Sequence, residues 1–304
     1  MSYIPKINGY SLTDFHDFEE CKFRFFVRHH LDKKYEIAKG SDQMALGVLL
    51  DRAIKEVHRN RHKGSYKLPV DRLVKSVRYA EKLIREEEKN SPKRPNFSTA
   101  VVEYFTEDVI KAAEYLFTNF CIQTEGKFKE SLFDVGFCKW YLKVDNEEFV
   151  LWGGPDTIEM GTDGVPEVID YKSRQNISRG KDGMDMDLMP KLYMLLCCQE
   201  LQKRGHQKAR FRVVFWQDPL EDSFYEDFDL KSVKKHEEIF IDKIATILKH
   251  QEIDHCGGQY CDACNYHKRY DFIADLKEKG YSVLTGEEFL ERKGDKSERV
   301  GIIS

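Results

Sequence analysis

Along the first 120 residues the apolar positions recur at helical spacing. Residues 10–31 (YSLTDFHDFEECKFRFFVRHHL) place Phe15, Phe18, Phe25, Phe26 and Leu31 on one face, with Ser11 or Thr13 positioned to cap the free N–H groups of one helix. Residues 41–63 predict a second helix through Leu46, Leu49, Leu50, Ala53, Ile54 and Val57, with Gly47, Asp51 and His58 on a neighbouring face. A charged helix over 70–89 follows, and then a longer one over 98–123 with Val101, Phe105, Val109, Ala112, Ala113, Leu116 and Phe120 as its buried stripe. From Ser131 the period changes to two. FDVGFCKWYLKV, EEFVLWGG, DTIEM and PEVIDYK alternate in the manner of an antiparallel meander. Helical spacing returns over 184–203 (Leu188, Leu192, Leu195, Leu196, Leu201), and strands over 209–216 and 222–229 flank Asp218-Pro219. A helix over 230–250 leads into a cysteine-rich segment, and the tail reads as two short helices separated by a turn at Gly280.

The 304 residues suffice for one large domain or two small ones. A hydrophobic fraction of 41% beside 34% charged residues indicates a globular chain with a real core and a densely charged surface. The net charge of −4 does not advertise a polyanionic ligand, but charge is local: Lys22 to Lys63 carries eleven Lys/Arg against five Asp/Glu. The first residues lack a basic segment followed by an apolar one, and the longest apolar run, Leu192 to Cys198, is far too short to span a bilayer. The expectation is a cytoplasmic protein with no membrane partner, in which eight cysteines serve as thiols or metal ligands rather than disulfides.

The chemistry concentrates between Glu148 and Gln175. In a strand alternate side chains share a face, so Asp170 and Lys172 point to one spot while Ile169 and Tyr171 point to the other side. Asp156 lies across the expected hairpin. Two carboxylates at one place repel unless a cation relieves them, and hard oxygen donors suit Mg²⁺ or Mn²⁺. A lysine beside such an ion suits chemistry on a phosphodiester.

With Asp51, Asp156, Asp170 and Lys172 arranged in order on a helix and two strands, the chain resembles the PD-(D/E)XK nuclease superfamily over most of residues 10–270. Within it the chain is similar to the RecB-type branch, which includes iron–sulfur exonucleases related to AddB and CRISPR-associated nucleases. Gly153-Gly154-Pro155-Asp156 resembles that branch's GxxD motif, and Asp170-Tyr171-Lys172 in VIDYKS its (D/E)xK motif. Asp51 stands where the branch usually has His, four residues after Gly47, and Met189 where it favours Gln, four residues before Tyr193. The resemblance implies an α/β fold: a restriction-endonuclease-like core with a central mixed sheet flanked by helices, a helical insertion, and a C-terminal cysteine cluster. It also implies Asp51, Asp156, Asp170 and the Tyr171 carbonyl as metal ligands, Lys172 as the group that orients or deprotonates water, and Tyr193 as a substrate contact.

Cys256, Cys261 and Cys264 form the second signal, since a C-x-x-C turn with a third cysteine upstream can offer several thiolates to one centre. By resemblance to the iron–sulfur nucleases, Cys21 would be the distant fourth ligand of a [4Fe–4S] cluster. The branch usually places a further cysteine where Tyr270 stands here. A local Zn²⁺ site that uses His267 is the alternative. Cys121, Cys138, Cys197 and Cys198 read as core positions.

The resulting expectation is a nuclease domain over 1–270, with an insertion at about 64–130 and a cysteine cluster at 255–267, and an appendage over 271–304. Its activity would be metal-dependent hydrolysis of DNA, as an exonuclease on single strands or duplex ends in repair, recombination or replication. Protein partners would be those of a repair, replication or CRISPR complex. The alternatives are a catalytically inactive nucleic-acid-binding protein and a zinc-bearing interaction module.

Overall fold

The structure is a computed structural model that describes residues 8–30, 41–59, 70–90, 99–125, 131–133, 138–172, 188–216 and 225–250. The chain divides into two compact units. One comprises Met1–Lys39, Tyr141–Leu151 and Glu238–Ser304, the other Gly40–Trp140 and Trp152–Glu237.

The first unit begins with strand β1 (Gly9–Tyr10) and helices α1 (Leu12–Glu20) and α2 (Lys22–His30), where sequence periodicity predicts one helix. The break is at Cys21, whose extended backbone ends α1 and whose Sγ accepts the Arg24 N–H at 3.4 Å at the start of α2. Ser11 caps α1, with both its N–H and its hydroxyl donating to Asp14 at 2.6 Å. β1 runs parallel to β3 (Glu147–Gly153), in the three-strand order β1-β3-β2 with β2 at Cys138–Val144. Aromatic rings fill this unit's core: Tyr10 stacks on Phe15 at 5.6 Å, and Phe15 packs on Phe240 of helix α7 (Glu237–Lys249) at 5.7 Å.

The second unit is built on a mixed sheet of order β4-β5-β6-β7, formed by Thr157–Met160, Pro166–Lys172, Lys208–Phe215 and Tyr225–Asp229. β4 and β5 form the expected antiparallel hairpin. Its turn requires glycine twice: a Cβ on Gly161 would lie 2.6 Å from the Val165 carbonyl oxygen, and Gly164 sits at φ +79°. The meander predicted from the alternating segments divides here, because β2 and β3 pair in the other sheet. β5 and β6 are parallel, so the chain must cross over between them, and helix α6 (Leu188–Lys203) lies on that connection.

Helices α3 (Asp42–Arg59), α4 (Val70–Asn90) and α5 (Glu107–Gln123), with a 3₁₀ turn at Thr99–Tyr104, share one core with Ile169, Val214 and Trp216. The single helix expected over 98–123 is interrupted because Thr106 caps α5, its Oγ1 accepting the Val109 N–H at 3.3 Å. Leu49, Ala53, Ile54, Leu73 and Phe117 are fully buried, and each large side chain contributes about 1.5–3 kcal/mol on leaving water. The architecture is the mixed α/β arrangement expected from the sequence. Among the described residues no helix is long and apolar enough to cross a membrane.

Candidate active site

The site assembles where β5 ends, entirely within the second unit. Alternation along β5 sends Ile169 and Tyr171 toward the helical core, where Tyr171 stacks on Trp216 at 5.1 Å and meets Phe120 edge-on at 5.8 Å. The Trp216 N–H donates to the Lys172 carbonyl at 3.0 Å, which extends the β5–β6 ladder past the site. The opposite face carries Asp170 and Lys172, as the two-residue period predicts. Lys172 Nζ lies 2.6 Å from Asp170 Oδ2, and Asp170 is nearly devoid of solvent contact.

Asp156 enters from the start of the hairpin. Its N–H donates to the Ile169 carbonyl at 2.9 Å, and its Oδ2 accepts the Tyr171 N–H at 2.7 Å. That second bond fixes the carboxylate against β5 between Asp170 and Lys172. Asp51 approaches from α3, and the structure adds a residue that sequence reasoning passed over. Lys55, one turn beyond Asp51, places Nζ 2.7 Å from Asp51 Oδ1 and 3.1 Å from Asp156 Oδ1. An acid and a lysine four apart on a helix usually form a solvated surface pair. No local signal distinguishes this one, because its second partner, Asp156, comes from a distant part of the chain.

These charges set one another's proton affinities. Burial raises the Asp170 carboxyl and the nearby Asp156 charge raises it further, against the opposing pull of Lys172. Burial also acts to raise Asp156, but Lys55, Lys172 and the Tyr171 N–H outweigh it and hold that carboxyl below the usual range. Asp51 keeps 46% of its side-chain surface open, yet the surrounding protein, followed by the Asp156 charge, pushes it up to about 7. Desolvation disfavours both ammonium groups, and the carboxylates more than offset it: Lys55 and Lys172 are raised.

Tyr193 of α6 comes to the same place, its hydroxyl donating to Asp170 Oδ1 at 3.4 Å while its ring packs on Phe211 at 5.8 Å. Gly153 lies beside it, where a Cβ would meet Leu196 and Tyr193 at ordinary contact distances of 3.5 and 3.7 Å. Met189, one turn before Tyr193, is buried. His58, from the same predicted face as Asp51, lies deeper, with Nδ1 3.7 Å from Glu159 and its ring 6.3 Å from Tyr171. Cys21 is buried in the first unit, whereas Cys256, Cys261, Cys264 and His267 lie outside the described residues.

The donor set fits one hard divalent ion. Asp156 and Asp170 offer carboxylate oxygens side by side, and their mutual repulsion favours a cation. Among the described residues no three acidic, His or Cys side chains close on a single point. Mg²⁺ does not need three, because it commonly takes one or two carboxylates and completes its shell with water and phosphate oxygens.

A mixed sheet with helices on it and an Asp-x-Lys strand facing a second aspartate define the restriction-endonuclease-like class of fold. The chain belongs to the PD-(D/E)XK nuclease superfamily, whose family model matches residues 10–269. Members of this superfamily typically use divalent metals such as Mg²⁺ or Mn²⁺ and act on nucleic acid. No curated protein matches the chain significantly. Among solved structures it is similar to SSO0001, at 14% identity over 65% of this chain and 84% of that one, with a TM-score of 0.23. It is also similar to Rai1 of Scheffersomyces stipitis, at 8% identity over 86% and 71% of the two chains and a TM-score of 0.21.

Proposed function

We propose that this chain is a divalent-metal-dependent deoxyribonuclease that works from single strands or duplex ends as an exonuclease. The observation that carries the reading is the Lys172–Asp170 contact of 2.6 Å beside Asp156, whose own orientation is fixed by the Tyr171 N–H. In this reading Asp156, Asp170 and the Tyr171 carbonyl would hold Mg²⁺ or Mn²⁺, with Asp51 as a third acid at the rim. The ion, when bound, neutralises charge on the scissile phosphate and acidifies a water. Lys172 supplies a rigidly placed ammonium whose protons hydrogen-bond the attacking water and the phosphate oxygens as negative charge builds. Asp170 and Asp156 hold that ammonium in place. Tyr193, bonded to Asp170, would orient that acid and contact the substrate.

The cysteine segment extends the reading. Cys21, Cys256, Cys261 and Cys264 would hold a [4Fe–4S] cluster with a structural role, or the last three with His267 a Zn²⁺ ion. The nuclease domain would span 1–270 with 271–304 as an appendage. The setting would be cytoplasmic DNA repair, recombination or replication, alongside protein partners of such a complex.

The test uses end-labelled single- and double-stranded DNA with Mg²⁺ or Mn²⁺. Wild type is expected to shorten the strands progressively, and Asp170→Ala or Lys172→Ala to lose this by at least a hundredfold, about the effect of removing one preorganised charge. Binding without cleavage under every divalent ion would instead identify an inactive nucleic-acid-binding protein. A brown anaerobic preparation with about four irons per chain is expected for the cluster, and a colourless one with stoichiometric zinc for the alternative.

A further inference from the structure

We propose that Lys55 is a built-in cation that takes the place of a second divalent ion, so that the site loads one ion and Asp51 holds Lys55 rather than metal. The location of that one ion at Asp156 and Asp170 rests on the nuclease reading above.

The geometry is that of a bridge. A single ammonium lies 2.7 Å from a carboxylate on α3 and 3.1 Å from one at the start of β4, joining two elements as a shared ion would. Lysine has three N–H donors and accepts nothing, so two are committed to these acids and one is left for solvent or substrate. The helix that carries it is fixed, because α3 is anchored by Leu49, Leu50, Ala53 and Ile54, all without solvent contact. The i, i+4 spacing keeps Asp51 and Lys55 on one helical face.

The charge count leads to the same place. With all five groups ionised, Asp51, Asp156 and Asp170 carry three negative charges and Lys55 and Lys172 two positive ones, so the site holds at most one net negative charge. One divalent ion turns this into a single positive charge, which a phosphodiester balances. A second ion would leave two uncompensated positive charges beside Lys55 and Lys172, a state that a poorly solvated site disfavours strongly. Without Lys55 the same acids would carry one more negative charge for added cations to offset. The lack of any three-ligand cluster among the described residues agrees with a single ion held by two carboxylates.

The experiment is a titration of the metal-free full chain with Mn²⁺, followed by calorimetry and by the loss of the free-ion paramagnetic resonance signal. Wild type is expected to take one Mn²⁺ at this site. Lys55→Met, which keeps the stem and removes the charge, is expected to take two, or to bind the one at least tenfold more tightly; Lys55→Arg is expected to stay at one. Two ions in wild type, none in wild type, or an unchanged titration in Lys55→Met would overturn the proposal. Asp51→Asn decides independently of whether Lys55→Met folds: it should retain one ion with less than a tenfold change in affinity, and a larger loss would make Asp51 a ligand and refute the assignment. DNA cleavage reads the nuclease assignment separately. A chain that binds one ion and cleaves nothing keeps the inference and loses the assignment; a cleaving chain with two ions does the reverse.

Discussion

Removing the charge of Lys172 while keeping its length, as in Lys172→Met, separates the site's stability from its chemistry. Asp170 retains 4% of its side-chain surface and Lys172 34%, so the pair is buried at the acid and half-open at the base. Breaking a fully buried pair typically costs about 3–5 kcal/mol because one charge is left without compensation. With Lys172 partly solvated and Lys55 still near, we expect about 2–3 kcal/mol in metal-free protein. At a urea dependence of roughly 3 kcal/mol per molar, the midpoint should fall by about 0.8 M. The loss must depend on pH. Asp170 is already raised by burial, and losing its cation raises it further. A carboxyl raised in the fold favours the native state only while protonated, so the penalty is absent below about pH 4, the unfolded value, and grows as pH rises. Asp170→Asn/Lys172→Met removes both charges and should recover most of the stability while remaining inactive. The assay is urea unfolding in EDTA at pH 4 and pH 8, followed by tryptophan fluorescence. A single variant as stable as wild type at pH 8, or a double variant no more stable than the single, would refute the electrostatic account.

Three further outcomes follow from the same contacts. Asp51 is pushed up to about 7 in the fold, so its charged form opposes folding: the stability it allows is complete below about pH 4 and is lost as pH rises through 7. Metal-free Asp51→Asn should therefore match wild type at acidic pH and exceed it at pH 8, as urea midpoints will show. Trp216→Ala empties a site that touches Phe117, Phe120 and Tyr171, and should cost about 3–5 kcal/mol in calorimetric melting; a loss below 1 kcal/mol would mean that the stack is not packed as described. Tyr193→Phe removes one long hydrogen bond of 3.4 Å to Asp170 and should lower stability by no more than about 1 kcal/mol, measured in the same way.

How far the sequence disclosed this arrangement varies by residue. Asp170 and Lys172 were legible because a strand's two-residue period places them on one face whatever the surroundings. Asp156 was legible because a glycine-rich turn makes a hairpin, and pairing brings its start beside the end of β5. Lys55 was not, since its partner Asp156 lies a hundred residues away and only its local partner is visible along the helix. The division of the strands between two sheets was hidden for a related reason: β3 leaves the meander to pair with β1, which at two residues is too short to show any period. The breaks at Cys21 and at Phe105-Thr106 are hidden because one or two non-helical residues leave the helical spacing of their neighbours nearly intact. His58 was placed on the correct face, but whether that face meets water or Tyr171 depends on packing that no local pattern encodes.

The pairing of Gly9 and Tyr10 with Val150 and Leu151 has a consequence for how the chain is made. Synthesis runs from the amino end at about 5–20 residues per second, so β1 emerges several seconds before its partner strand exists. Closing a loop of that length costs entropy that grows only slowly with length, but the contact cannot begin to repay it until Leu151 has left the ribosome. Phe15 must wait longer for Phe240. The helices of the second unit, whose contacts lie closer in sequence, can form while the aromatic residues of the amino-terminal segment are still waiting for theirs.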